Sequence, residues 1–152
     1  MDGQDLAGRF VAANDEAVAY LLGPARERWH STTDSEQWPV GVVARHIALG
    51  HELMLGWVRS LKDQAPITGP SDIDAINATE AARGVVASPE EVAQLLRDNG
   101  GAVTEVLRSL TGEDLQREVD FAGRKLAAAM LADAPARHVT GHLASIRAVV
   151  EG

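Results

Sequence analysis

Apolar residues recur at helical spacing along most of the chain, with breaks at glycine, proline and polar clusters. The first such stretch predicts a helix over Asp5–Leu22, and Gly23-Pro24 then interrupts it. The polar residues Ser31–Ser35 that follow predict a loop. The apolar positions of this first helix are Phe10, Val11, Ala17, Val18 and Leu21.

A second helix is predicted to begin near Trp38-Pro39, with the proline in the first helical position, where its missing N–H is unpaired anyway. It fades near Lys62-Asp63, before a loop over Gln64–Pro70. Both of its faces carry apolar residues, which indicates a helix central to the core. Its apolar positions are Val42, Val43, Ile47, Leu49, Leu53, Met54 and Trp57.

The middle of the chain is predicted to hold one weak and one strong helical segment. Asp72–Asn77 begins a short helical or irregular segment. Ser88-Pro89-Glu90-Glu91 has the spacing of a capping box and predicts a helix that continues through Leu110. Within it, Asn99-Gly100-Gly101 predicts a kink or a local fray, because glycine costs about 1 kcal/mol relative to alanine in a helix.

The last part of the chain completes a four-helix pattern. Thr111–Asp114 predicts a turn, and Val119–Gly123 a loop or briefly extended segment. A final helix is predicted over Leu126–Val150, and Pro135 within it predicts two helices that meet near Asp133. Four principal helices with short connections predict an all-α four-helix bundle, in one domain over residues 1–152.

Charge and composition exclude several functions. The 152 residues contain 14 Lys or Arg and 22 Asp or Glu, for a net charge of −8, which is unsuited to nucleic acid or an anionic membrane surface. The chain has no cysteine, so disulfides, thiolate metal sites and cysteine nucleophiles are excluded. Without a signal-like start or a long apolar run, we expect a cytoplasmic protein with no membrane partner.

Histidine spacing provides the first candidate chemistry. His138 and His142 are four residues apart in the last predicted helix, so their rings lie on one face about one turn apart. Two imidazoles at this spacing can bind one metal ion, as in HExxH helices. The sequence here is HVTGH, which lacks the glutamate that serves zinc proteases as general base. Taken alone, such a pair is more often surface or ordinary packing.

The other three histidines differ in their surroundings. His46 lies within an apolar stripe, where a buried ring needs a carbonyl, a water or a metal as its partner. His51 is about 140° further round the same helix and is not expected to share a site with it. His30 is expected to be solvated. Spacing alone leaves open whether His46 faces the pair in the last helix.

Two segments carry a resemblance to a known family. Trp38-Pro-Val-Gly-Val-Val-Ala-Arg-His46-Ile and His138-Val-Thr-Gly-His142-Leu resemble the second-helix and last-helix motifs of the DinB/YfiT-like superfamily. Asp72-Ile-Asp-Ala-Ile-Asn77, followed by Ser88-Pro-Glu-Glu-Val, is similar to the branch of the mycothiol-dependent maleylpyruvate isomerases. The resemblance implies a four-helix bundle in which His46, His138 and His142 bind a divalent metal ion, zinc or nickel.

The resemblance also implies a function. It suggests a metal-dependent enzyme that acts on a small molecule, as an S-transferase or isomerase that uses a low-molecular-weight thiol of the mycothiol or bacillithiol type, or as a hydrolase. It further implies a homodimer. The alternative is a non-catalytic bundle whose metal is structural, or a dimerising scaffold.

Polar residues near the predicted ligands are candidates for orienting the rings or the substrate. Asn77 and Asp74 are the main ones, since metal-bound histidine usually donates its second nitrogen to an acceptor. Their simpler interpretation is that Asp72 and Asp74 cap the segment that follows, while Glu52 is solvated. Arg45 and Arg137 are expected to be surface charges, with binding of an acidic cofactor as the alternative. Trp38 and Trp57 are expected to be packing residues, with the lining of a substrate pocket as a secondary role.

Overall fold

A computed structural model describes residues 1–68 and 72–152 of the chain. In this described part, helices alternate with short connections, and a hairpin precedes the last helix. The elements are α1 (Gly3–Leu22), α2 (Val40–Asp63), α3 (Ile73–Arg83), α4 (Pro89–Ser109), α5 (Gly112–Gln116), β1 (Glu118–Phe121), β2 (Arg124–Ala127) and α6 (Ala128–Glu151).

Four long helices form the bundle. Helices α4 and α6 each pack against both α1 and α2, so α1 and α2 lie diagonally across the core. Each helix contributes fully buried side chains to it, such as Phe10, Ile47, Leu96 and Ile146. The prediction of an all-α four-helix bundle is confirmed. Within the described residues, no helix combines the length and apolarity needed to span a bilayer.

Helix starts follow local capping chemistry. The predicted Ser88–Glu91 capping box is present, and α4 begins at Pro89. A second capping box joins Asp2 and Asp5, so α1 begins two residues earlier than predicted. A third, between Thr111 and Asp114, begins α5. The sequence predicts a turn with a weaker cap over Thr111–Asp114. The cap is present, but the turn continues as a short helix because side-chain and backbone hydrogen bonds pair the two residues.

The last helix also begins later than predicted. Residues Arg124–Ala127 form β2, which pairs antiparallel with β1, and α6 begins at Ala128 rather than Leu126. The turn between the strands is Ala122-Gly123, with φ of 51° and 77°, as tight hairpin turns require. Val119 lies opposite Leu126, and both pack against the core, which stabilises an extended start where the sequence favours a helix.

Pro135 does not divide the last helix. Helix α6 is continuous over Ala128–Glu151, so the prediction of two helices meeting near Asp133 is wrong. The proline side chain is buried in the bundle, where packing offsets the lost hydrogen bond. One turn before it, the carbonyl of Met130 accepts a hydrogen bond from the Arg137 guanidinium at 2.6 Å.

The double glycine of α4 likewise leaves its helix unbroken. Gly100 faces α1 so closely that a Cβ there would lie 2.5 Å from Asn14 Nδ2. Asn99, beside it, donates a hydrogen bond from its side chain to the carbonyl of Ala48 at 2.9 Å. The predicted local fray is therefore wrong, since α4 is continuous here and Gly100 permits close packing between helices, whereas the kink stays a prediction.

Helix α2 begins one residue later than predicted, and a helix follows the loop after it. Pro39 is the residue before the first helical turn, with φ −57° and ψ 149°, so α2 begins at Val40. The predicted loop over Gln64–Pro70 has no helix through Thr68, and its last two residues lie outside the described part. The segment from Asp72 is a helix, α3, that packs against α2.

Candidate metal centre and adjacent cavity

Three imidazoles converge between α2 and α6. His46 comes from α2, whereas His138 and His142 come from one face of α6. The Nε2 atoms of His46 and His138 are 3.2 Å apart, and the three ring centroids are separated by 4.6–4.9 Å. One nitrogen of each ring lies within 4.8 Å of one nitrogen of the others. The spacing in sequence left this convergence open, and the packing of α2 on α6 produces it.

Gly50 makes room for one of these rings. It lies one turn after His46 on α2, and a Cβ at this position would be 2.7 Å from His138 Nδ1. Real Cβ atoms do not approach a ring this closely, so a glycine is needed for His138 to occupy its place. Trp38 packs edge-on against His46 from the other direction, with ring centroids 5.5 Å apart.

A carboxylate orients the third ring. Nδ1 of His142 donates a hydrogen bond to Oε2 of Glu36 at 2.7 Å, which leaves Nε2 as the free nitrogen. Partial burial tends to raise the pKa of Glu36, but the hydrogen bonds from His142 and Thr33 outweigh it and hold the pKa below its usual value. Sequence reasoning missed Glu36, because it lies in an irregular loop far from His142 in the chain.

Burial keeps two of the rings neutral. The pKa of His46 is lowered to about 4, mainly by desolvation and to a smaller extent by the neighbouring His142. Desolvation, His142 and His46 lower the pKa of His138 to about 3. Near neutral pH both imidazoles therefore carry lone pairs, which is the state that binds a metal ion.

The cluster fits a divalent metal ion. Two imidazole nitrogens bound at about 2.0–2.1 Å to one tetrahedral ion are about 3.3 Å apart, close to the separation observed between His46 and His138. Imidazole donors suit zinc, nickel, copper or iron. The carboxylate behind His142 matches the arrangement in which an acceptor fixes the orientation of a metal-bound histidine. His46, His138 and His142 are the residues that would hold the ion.

The two remaining histidines lie elsewhere, as the sequence predicts. His51 is fully buried on the other side of α2, where its Nε2 pairs with Asn14 Oδ1 at 2.8 Å and its ring packs against Phe10. His30 is exposed.

A cavity of about 400 Å³ opens beside the cluster, between α2 and α3. Its walls are mainly apolar, and His46 and His138 are part of them. The second apolar face of α2 thus lines this cavity as well as the core. The lining residues are His46, Leu49, Gly50, Glu52, Leu53, Met54, Trp57, Ile73, Ile76, Asn77, Glu80 and His138.

The polar residues singled out from the sequence divide between cavity and surface. Asn77 is half-buried and lines the cavity, whereas Asp74 is exposed and is not among the described residues that line it. Glu52 is exposed at the cavity rim and accepts a hydrogen bond from Asn99 at 3.4 Å. Asp72 precedes α3, but its side chain makes no capping hydrogen bond there.

The arginines and tryptophans expected to be surface charges and packing residues match that expectation only in part. Arg137 is exposed and pairs with Asp133 at 3.5 Å, as expected. Arg45 is half-buried instead, because it forms an ion pair with Glu80 that joins α2 to α3. Trp57 packs against Phe121 and also lines the cavity. Glu80 had no signal in the sequence, since its partner lies 35 residues away.

Comparisons with known proteins agree with this architecture. The family model of the DinB superfamily matches residues 9–146. The crystal structure of a mycothiol-dependent maleylpyruvate isomerase, solved as a histidine-to-alanine mutant, is similar with a TM-score of 0.73 and 14% identity. That similarity covers 96% of this chain but 61% of the isomerase chain. No curated protein matches in sequence. With the family model matching most of its length, the chain belongs to the DinB superfamily.

Proposed function

We propose that this protein is a divalent-metal-dependent enzyme that acts on a small molecule together with a low-molecular-weight thiol, as an S-transferase or isomerase. One observation supports this most directly: the imidazoles of His46, His138 and His142 converge beside an apolar cavity, and the first two of them line it. A purely structural site would need no such space beside it. Zinc and nickel are the ions proposed, and mycothiol or bacillithiol the type of thiol.

The donor set supports the chemistry. A divalent ion bound by three neutral imidazoles keeps open positions, where it would act as a Lewis acid and favour the thiolate form of a bound thiol. The protein has no cysteine, so in this proposal the sulfur comes from a ligand. The isomerase that the fold resembles is named as mycothiol-dependent, which agrees with this choice.

Protein side chains have defined tasks in this proposal. Glu36 holds His142 with its Nδ1 protonated and its Nε2 directed away from the carboxylate. The cavity, of a size usual for small-molecule sites, takes the co-substrate and limits access of water to the reacting atoms. Asn77 supplies an amide that can both donate and accept hydrogen bonds in the cavity.

Removal of one ligand tests the proposal. In His138→Ala, we expect the affinity for the metal ion to fall about tenfold or more. Elemental analysis should then find most of the metal lost, while the helical circular dichroism signal is retained. Thiol-dependent turnover, followed as loss of free mycothiol or bacillithiol with a panel of electrophiles, should fall with it. His30→Ala, an exposed histidine outside the cluster, is the matched control and should keep both.

Two results would contradict the proposal in different ways. Stoichiometric metal in His138→Ala would show that the ion binds at a site other than the histidine cluster. A metal-loaded protein with no exchangeable ligand, no thiol-dependent turnover and a large loss of thermal stability on chelation would favour the non-catalytic bundle. The homodimer expected from the family resemblance stays a prediction, to be checked by light scattering.

A further inference from the structure

We propose that Glu80 makes the cavity selective against anions, so that the co-substrate is an apolar molecule with a neutral or cationic group. The inference rests on the proposed function in one respect, namely that a ligand in this cavity reaches the histidine cluster. It concerns the part of the cavity formed by α3, whose lining residues are Ile73, Ile76, Asn77 and Glu80.

The first support is the charge of the cavity wall. The charged side chains among its described lining residues are Glu52 and Glu80, and no lysine or arginine is among them. The remaining wall is mostly leucine, isoleucine, methionine and tryptophan. A carboxylate that entered this part of the cavity would lose water and find two carboxylates but no lysine or arginine in the wall. An ammonium or an uncharged group would not need such a cationic partner.

The second support is the position of the nearest cations. Arg45 forms its ion pair with Glu80 from the far side, and Arg83 pairs with the other oxygen of Glu80 at 3.3 Å. Both arginines line a separate surface depression, together with Glu91 and Asp98. Arg83 is half exposed, so solvent screens its charge. Glu80 therefore pairs with one guanidinium nitrogen of each arginine, and neither arginine is among the described residues that line the cavity.

Glu80 forms an ion pair with Arg45, the residue before His46, so it lies near the histidines. A bound metal ion would attract one anion there, the proposed thiolate, and the selectivity is therefore expected against a second anion. A dicarboxylate co-substrate would place a second anion where no free cation awaits it among the described residues.

Three probes with one apolar portion and different charges test the inference. We would titrate 4-phenylbutylamine, 4-phenylbutan-1-ol and 4-phenylbutyrate into the protein as isolated and after chelator treatment, by calorimetry. In the chelator-treated protein, we expect the amine and the alcohol to bind about tenfold more tightly than the carboxylate. Equal or tighter binding of the carboxylate would overturn the inference, as would failure of all three probes to bind.

Variants assign the effect to Glu80. In Glu80→Gln, the paired cation is freed, and we expect the affinity for the carboxylate to rise about fivefold or more while that for the amine falls. Glu52→Gln removes the same charge from the same cavity but frees no arginine, so its effect should be smaller. An equal effect of both variants would overturn the role of Glu80.

Two further measurements keep the test decisive. If Glu80→Gln fails to fold, Arg45→Gln leaves Glu80 with the exposed Arg83 as its partner and should increase the preference for the amine; an unchanged preference would overturn the proposal. Metal content is measured separately on every sample. A protein that takes up no zinc or nickel when these are added, yet still ranks the probes as expected, would refute the proposed enzyme but not this cavity, so the two failures can be told apart.

Discussion

At the scale of single residues, the site depends on a glycine as well as on its histidines. His138 fits against α2 because Gly50 offers no Cβ to its ring. Gly56, two turns further along the same helix, has no neighbouring atom within 4 Å of a built Cβ. The two glycines therefore have opposite expected responses to alanine.

We expect Gly50→Ala to displace the His138 ring and to lower zinc affinity about tenfold or more, since small misplacements of a ligand weaken a metal site strongly. Competition with a chelating dye measures this affinity. In Gly56→Ala, zinc affinity should be unchanged and the helix stabilised by up to about 1 kcal/mol. Equal zinc affinities of the two variants would show that Gly50 does not position the ring.

Sequence reasoning identified the histidines but missed the side chains that orient them. His138 and His142 are related by helical spacing, and the motifs around them and His46 resembled a family. Glu36 and Glu80 carry no such pattern, because each meets its partner only after distant segments fold together. Local periodicity holds no information on such pairs. Asp74, which did stand beside a motif, proved to be exposed.

At the scale of elements, apolar periodicity and capping residues predicted the helices of the bundle to within a few residues. The errors lie where tertiary packing overrides local preference. Pro135 and Gly100 were expected to disturb their helices, yet both pack closely within the bundle. The strand β2 replaced a predicted helical turn because it pairs with β1 and packs Leu126 against the core.

The adjacent glycines of α4 test this account of packing. In Gly100→Ala, the new methyl group would approach Asn14, whose side chain is held by Leu96 O and His51 Nε2 at 2.9 and 2.8 Å. We expect a loss of about 1–3 kcal/mol in the free energy of unfolding. Gly101→Ala, next to it, meets no atom within 4 Å and should stabilise the helix by up to about 1 kcal/mol.

Urea unfolding of both variants measures the difference. If Gly100→Ala were as stable as Gly101→Ala, the α1–α4 contact could not be the reason why a glycine lies at position 100.

At the scale of the whole molecule, the core contains titratable groups whose protonation opposes folding. Burial lowers the pKa of His51 to about 4, and the pKa of His46 and His138 is lowered as well. In the unfolded chain these rings take up protons near pH 6.5. The folded state binds fewer protons than the unfolded chain in this range. The stability that depends on these neutral rings is therefore fully present above about pH 6.5 and is lost as the pH falls towards about 4.

In chelator-treated protein, we expect the free energy of unfolding to fall between about pH 7 and pH 5. Each histidine whose pKa is lowered contributes up to about 1.4 kcal/mol per pH unit to this fall. Urea unfolding at several pH values measures this slope. His51→Gln should have a shallower slope than the wild type, and His30→Gln the same slope. A flat profile for the wild type would contradict neutral burial of these rings.

The three imidazoles also come from distant parts of the chain, at position 46 and at positions 138–142. Synthesis must therefore have passed residue 142, and α6 must have docked on α2, before the three ring nitrogens can meet. A chain that ends before α6 would lack two of the three nitrogens. Under the proposed function, uptake of a metal ion would therefore report that α6 has docked on α2.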